Sequence, residues 1–187
     1  MIKKTFKSHL PVLKQILLFA LIFIFTCQFT ATAQDKTALE VGQPAPDFYL
    51  KTINDEEIFL SNFCGEKNQK NPVLISFWGT YCKPCTKEFP IFNRLSELYS
   101  AHGLKIFLIN VKEKKEIVET YIKKNNINVT VLLDTYCIVS EKYDVIADKI
   151  PKLFLIDKNG IIVQIYTGGI TVTQEEMLKA QLGDILK

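Results

Sequence analysis

Pro72 to Trp78 (PVLISFW) is a short apolar run, and Cys82-Lys83-Pro84-Cys85 follows it after three residues. Beyond the second cysteine, Phe89, Phe92, Leu95, Leu98 and Tyr99 recur at intervals of three to four. The run predicts a central strand buried on both faces, and the spacing behind it predicts an amphipathic helix. A chain that must cover both faces of a strand and place a helix directly after it is constrained to a layered α/β architecture. The two thiols fall where the strand ends and the helix begins. That context gives the C-x-x-C spacing its meaning.

The rest of the chain fits this frame. Val41-Gly42-Gln43-Pro44-Ala45-Pro46 is extended, because its prolines forbid helix. Asp47 to Leu50 and Glu57 to Leu60 are strand-like runs around the turn Asn54-Asp55, and Cys64 to Asn71 is a polar loop. Leu104 to Val111 reads as a strand, Lys114 to Lys124 as a helix, Val129 to Leu133 as a strand and Val139 to Tyr143 as a short helix. Lys152 to Ile156 and Ile161 to Tyr166 are strands joined by Asp157-Lys158-Asn159-Gly160, where Asn-Gly supplies the positive φ angles of a tight hairpin. A last helix covers Thr173 to Ile185. Strands alternating with helices, then a hairpin, predict parallel central strands with an antiparallel edge.

The first 33 residues read as a targeting segment. Lys3, Lys4, Lys7 and Lys14 precede a nearly unbroken apolar stretch from Ile16 to Phe29, and Ala31-Thr32-Ala33 follows. This is the basic, apolar and small-residue order of a signal peptide, with a mature start at Gln34 and a domain from 34 to 187. Retention as an N-terminal membrane anchor is the second reading, and lipidation of Cys27 a third. Without residues 1–33, 23 basic residues become 19 against an unchanged 20 acidic, a formal charge of −1. The basic excess belongs to the leader, and a folded part with Arg94 as its single arginine carries no nucleic-acid footprint. Export places the remaining cysteines, Cys64, Cys82, Cys85 and Cys137, where disulfides persist.

Cys82 at a helix N-terminus faces unpaired N–H groups that stabilise a thiolate, and Lys83 adds a positive charge beside it. Pro84 suits the first turn, where a missing N–H costs little. Cys82 is therefore the candidate nucleophile. Cys85, one turn inward, is the candidate resolving thiol. A zinc site would need two more ligands, and His102 is the one histidine left beyond residue 33. A structural disulfide across so short a loop would restrict the unfolded chain little.

The run Phe77-Trp78-Gly79-Thr80-Tyr81-Cys82-Lys83-Pro84-Cys85-Thr86-Lys87-Glu88-Phe89-Pro90 resembles the active site of exported thioredoxin-like proteins of the TlpA/ResA/CcmG type, related to the AhpC/TSA superfamily. Gly42 to Phe48 resembles that family's leading motif, and Ile150-Pro151 with Leu153 to Asp157 and Gly160 its cis-proline strand and hairpin. The resemblance implies a thioredoxin-like fold: a central mixed sheet flanked by helices, with an N-terminal β-hairpin extension. It implies a thiol–disulfide oxidoreductase working in the periplasm or cell envelope, reducing disulfides of exported proteins, for example in cytochrome c maturation. A membrane thiol donor would recycle it, and the Cys82–Cys85 dithiol would need no organic cofactor or metal. Pro151 would be the cis-proline opposite the cysteines, presenting Ile150 to a substrate strand; a trans proline at a strand start is the plainer reading. Glu88 would relay the proton of the buried thiol, its pKa raised by burial, or else be a solvated helix residue. Trp78 would pack beneath the site, with Lys83 and Pro84 facing the substrate.

Departures from that pattern leave points open. Ser76 stands where cytosolic thioredoxins carry a buried acid, so proton transfer falls to Glu88. Lys152 follows the cis-proline where Thr is common; it either acts on Cys82 and acidic partners or points to solvent. Ile146 to Ile150 looks longer than usual. Cys64 and Cys137 form a second disulfide or stay two free, partly buried thiols. Lys112 to Glu116 reads as a solvated helix start. Two other functions compete. A thiol peroxidase expects Thr or Ser where Gly79 stands, with an Arg nearby, and a non-catalytic exported binding module would not depend on its cysteines.

Overall fold

Val73–Trp78 forms β3, and all six of its residues are buried. An apolar strand with no polar alternation must lie inside a sheet with both faces covered, and β3 does. The computed structural model describes residues 38–67, 70–145 and 147–187, together with Gln15. Apart from Gln15, the targeting segment expected over residues 1–33 lies outside the described residues. Ala38–Lys187 form one unit, and among the described residues no helix is long and apolar enough to cross a membrane.

The strands are β1 (Tyr49–Thr52), β2 (Glu57–Phe59), β3, β4 (Lys105–Val111), β5 (Thr130–Asp134), β6 (Lys152–Ile156) and β7 (Ile162–Thr167). Helices α1 (Lys83–Thr86), α2 (Phe89–Tyr99), α3 (Lys115–Asn125), α4 (Ile138–Lys142) and α5 (Val172–Ile185) complete the fold. The sheet runs β2-β1-β5-β4-β3-β6-β7. β3, β4 and β5 are parallel, as β3–α2–β4–α3–β5 crossovers require, and β6–β7 is the antiparallel edge hairpin. The β1–β2 hairpin extends the opposite edge through β5.

Strand alternation sorts the core into two layers. Leu74, Trp78, Leu108, Leu153 and Leu155 face Phe92 and Leu95 of α2, Val118 of α3, and Leu178 and Leu182 of α5. Ile75, Phe77, Ile109, Phe154 and Ile156 face Leu60, Cys64, Val139 and Tyr143 on the other side. Both cysteines of the C-x-x-C pair belong to the first layer.

Two local expectations need correction. The helix after Cys82 is not continuous: α1 ends at Thr86 and α2 starts at Phe89. Pro90 is the cause, because it has no N–H for the Thr86 carbonyl and its ring crowds that carbonyl. The β6–β7 turn also differs from a two-residue Asn-Gly turn. Gly160 alone has positive φ (+83°). The Asp157 carboxylate accepts the N–H groups of Asn159 and Ile161, each at 2.9 Å, so the aspartate shapes the turn.

Candidate active site

The site grows from the end of β3. Gly79 follows Trp78, and a Cβ there would stand 2.6 Å from the Tyr81 ring, so glycine is needed for the ring to fold back. The Cys82 N–H donates to Gly79 O at 3.0 Å and closes a turn. Cys82 is the N-cap of α1, its Sγ accepting the Cys85 N–H at 3.2 Å, with Pro84 in the first turn. Since α1 is a single turn, this N–H, and not a long helix dipole, is the local group that favours a thiolate on Cys82. Cys82 and Cys85 are joined in a disulfide, their Cα atoms 5.4 Å apart. Cys82 is 5% exposed and Cys85 fully buried.

Glu88 sits at the break between α1 and α2 and is 2% exposed. Its Oε1 accepts the Ile170 N–H at 2.8 Å, while Oε2 has no hydrogen-bond partner among the described residues. Burial pushes its pKa up to about 7, and the Ile170 bond opposes part of that rise. Gly168 and Gly169, with φ of +80° and +103°, carry the chain from β7 past Glu88. A Cβ on Gly169 would lie 3.8 Å from Pro151 Cγ and 3.9 Å from both Glu88 Oε1 and Pro84 Cβ. A cavity of about 270 Å³ opens here, between Lys83, Pro84, Lys87, Glu88 and the 168–171 segment.

The Ile150–Pro151 peptide bond is cis. A second cavity of about 410 Å³ lies between Tyr81, Cys82, Lys83, Pro84, Ala147 and Ile150. Cys82, and not Cys85, therefore lines a groove walled by Ile150 on one side and by Lys83 and Pro84 on the other. Trp78 is fully buried beneath, its ring set edge-on to Phe89 at 5.1 Å and tilted against Tyr121 at 5.6 Å. The Tyr121 hydroxyl also meets Thr86 Oγ1 at 3.0 Å, which ties α1 to α3.

Other residues singled out from the sequence stand apart. Cys64 and Cys137 are free thiols, so no second disulfide forms between them. Cys64 Sγ is buried 3.9 Å from the Leu60 carbonyl, whereas Cys137 sits at the N-cap of α4 with φ of 60°. Each is held by its own local geometry. Burial, with Asp157 and Asp47 nearby, pushes the Cys64 pKa up to about 12. Lys152 neither lies beside the cysteines nor points to open solvent. It shares the strand face of Phe154, its Nζ donating to Asp144 O at 3.0 Å and lying 5.3 Å from the Phe154 ring. Arg94 pairs with Glu175 at 3.1 Å on the outer side of α2.

Sequence reasoning missed Glu113. Helix α3 starts only at Lys115, and Lys112 turns the chain with φ of 68°. Glu113 Oε2 accepts the Thr80 N–H and the Asn110 side-chain amide, each at 2.7 Å, and Oε1 accepts the Thr80 hydroxyl. The available signal was Asn110, the one polar residue in the run IFLINV that follows Lys105.

A three-layer α/β sheet that ends a buried parallel strand at a C-x-x-C disulfide, opposite a cis-proline, defines a thioredoxin-like thiol–disulfide oxidoreductase. Within that class, residues 41–165 match the AhpC/TSA family, and the chain belongs to it. It is 38% identical over 154 residues to the thiol-disulfide oxidoreductase ResA of Geobacillus kaustophilus, covering 82% of this chain and 81% of that one. To ResA of Bacillus subtilis it is 35% identical over 143 residues, covering 76% of each chain. Among solved structures, a thiol:disulfide interchange protein DsbE from Chlorobium tepidum superposes with a TM-score of 0.71 at 27% identity, over 80% of this chain and 100% of that one. The enzyme class read from the sequence therefore holds.

Proposed function

We propose that the chain is an exported oxidoreductase that reduces disulfides in other exported proteins. The observation that carries this reading is the asymmetry of the pair: Cys82, at the head of α1, lines the groove, whereas Cys85 behind it is fully buried and does not. In the reduced protein the Cys82 thiolate attacks one sulfur of a substrate disulfide. The Cys82–substrate bond forms, the substrate S–S bond breaks, and the other substrate sulfur leaves as a thiolate. Cys85 then attacks the Cys82 sulfur, forms the Cys82–Cys85 bond and releases the second substrate thiol. Two electrons pass to the substrate, and the protein ends in the disulfide state.

Glu88 takes the proton of Cys85. A carboxyl with a pKa of about 7 can hold and release a proton near neutral pH. The groove beside Ile150 and cis-Pro151 receives an extended substrate segment, with Lys83 and Pro84 as its other wall. A membrane thiol donor returns the two electrons, and no metal or organic cofactor enters the cycle. Residues 1–33 deliver the domain to the periplasm or cell envelope, whether cleaved or kept as an anchor. Thiols of apocytochrome c exemplify the substrate class.

The test is the reduction potential of the Cys82–Cys85 pair, read by mass shift after equilibration of the full chain in thiol buffers. A value below about −220 mV fits a reductase, and one near −120 mV overturns this direction in favour of disulfide formation. A Cys82→Ser chain that still reduces protein disulfides at the normal rate overturns the mechanism.

A further inference from the structure

One carboxylate outside the reacting set grips the loop that carries Cys82. Glu113 lies in the turn after β4, 33 residues from Thr80, and accepts both the N–H and the hydroxyl of Thr80. Thr80 is the second residue of the turn closed by the Cys82 N–H on Gly79 O, so its own N–H is left to find a partner elsewhere. Glu113 supplies that partner. The carboxylate is itself held: the Asn110 amide donates to Oε2 at 2.7 Å, and Asn110 is fully buried as the β4 partner of Trp78. The Glu113 carbonyl also lies 3.4 Å from the Thr135 hydroxyl at the end of β5. The ends of three parallel strands thus converge on the turn before the attacking sulfur.

We infer that Glu113 is a positioning residue for disulfide exchange: it locks the Gly79–Cys82 turn so that Cys82 Sγ stays aligned for attack by Cys85. The inference rests on the reading of Cys82 and Cys85 as the reacting pair. Hydrogen bonds to a charged acceptor are about twice as strong as neutral ones, and this carboxylate takes three. Loss of alignment harms the step in which one sulfur must attack another along a defined line. It leaves untouched a reaction that needs only an exposed thiolate.

The experiment follows two reactions of the reduced full chain from pH 5 to 10: reduction of a small aromatic disulfide, and alkylation of Cys82 by iodoacetamide. Plateau rates at high pH remove any change in thiol pKa. The expected result for Glu113→Ala is an exchange plateau about tenfold lower, with alkylation plateau and thermal midpoint preserved. Glu113→Gln, which keeps acceptor oxygen for Thr80, is expected to recover most of the exchange rate. An unchanged exchange plateau in Glu113→Ala overturns the inference. So does a fall in both reactions together with the thermal midpoint, which marks a merely structural role. Failure of the underlying reading shows separately, as a Cys82→Ser control that reduces the disulfide as fast as the parent chain.

Discussion

Glu88 Oε1 and the Ile170 N–H meet at 2.8 Å across 82 residues of sequence. This bond fastens the break between α1 and α2 to the segment that leaves β7, and it is the one polar contact the Glu88 carboxyl makes among the described residues. A single N–H does not compensate for burying a charge, so the carboxyl pKa rises from the usual 4.5 to about 7.

That rise makes Glu88 a cost to the fold at working pH. The folded chain keeps a proton that the unfolded chain gives up between pH 4.5 and 7, so this contribution to stability is full below pH 4.5 and falls until pH 7. The loss is about 3 kcal/mol by linkage. Glu88→Gln keeps an acceptor for Ile170 without the charge. The variant is expected to be more stable than the parent at pH 8 and to match it near pH 4.5, as urea unfolding at the two values checks. Disulfide reduction by the same variant is expected to slow, since an amide takes no proton from Cys85. Equal stability differences at both pH values would contradict the raised pKa.

Gly169 offers a second handle on the same carboxyl. Its φ of +103° is a conformation that side chains resist, although a Cβ would meet nothing closer than 3.8 Å. Gly169→Ala is therefore expected to cost about 1–3 kcal/mol through the backbone alone. If the strain lengthens the Ile170 bond, which holds the Glu88 pKa down, the pKa moves further up. Carbon-13 NMR titration of the Glu88 carboxyl reads this directly, and an unshifted midpoint would separate the two sites.

The parts legible in the sequence are those that short-range pattern dictates. PVLISFW announces β3, the 3–4 spacing announces α2, and Cys82 falls at the junction because the two periods change there. Glu88 and Pro151 were found through a family motif, and sequence spacing alone does not place them beside the cysteines. What escaped depends on contacts between distant segments. Asn110 signals a polar contact at the end of β4, but nothing near Glu113 names Thr80 as its partner, and nothing near Gly168-Gly169 indicates that they pass Pro84 and Glu88. Two misses were avoidable by local rules. Pro90 forbids one continuous helix after Cys82. Strand alternation places Lys152 on the face of Phe154, away from Leu153 and the cysteines.

The placement of Lys152 yields a third prediction. Burial lowers its pKa, and its ammonium serves the carbonyls of Tyr143 and Asp144 on the far side of the sheet. Lys152→Met is expected to leave the Cys82–Cys85 potential and the Cys82 alkylation profile unchanged. It is expected to lower stability by about 1–3 kcal/mol through the lost charge-assisted hydrogen bonds. A shifted Cys82 profile would return Lys152 to the site.

Cys64 and Cys137 make the last prediction. Cys64 is buried, and its pKa of about 12 leaves almost no thiolate at pH 8. Cys137 is half-buried at the head of α4, flanked by Tyr136 and Ile138, which are 83% and 59% exposed. Iodoacetamide treatment of the oxidised full chain at pH 8, followed by peptide mapping, is expected to modify Cys137 and spare Cys64 until denaturant is added. The Cys82–Cys85 disulfide protects both active-site sulfurs in this experiment. Modification of Cys64 at the rate of Cys137 in the native protein would mean that the loop over Leu60 opens readily. Protection of both, lifted only by a reductant, would mean that they pair in solution after all.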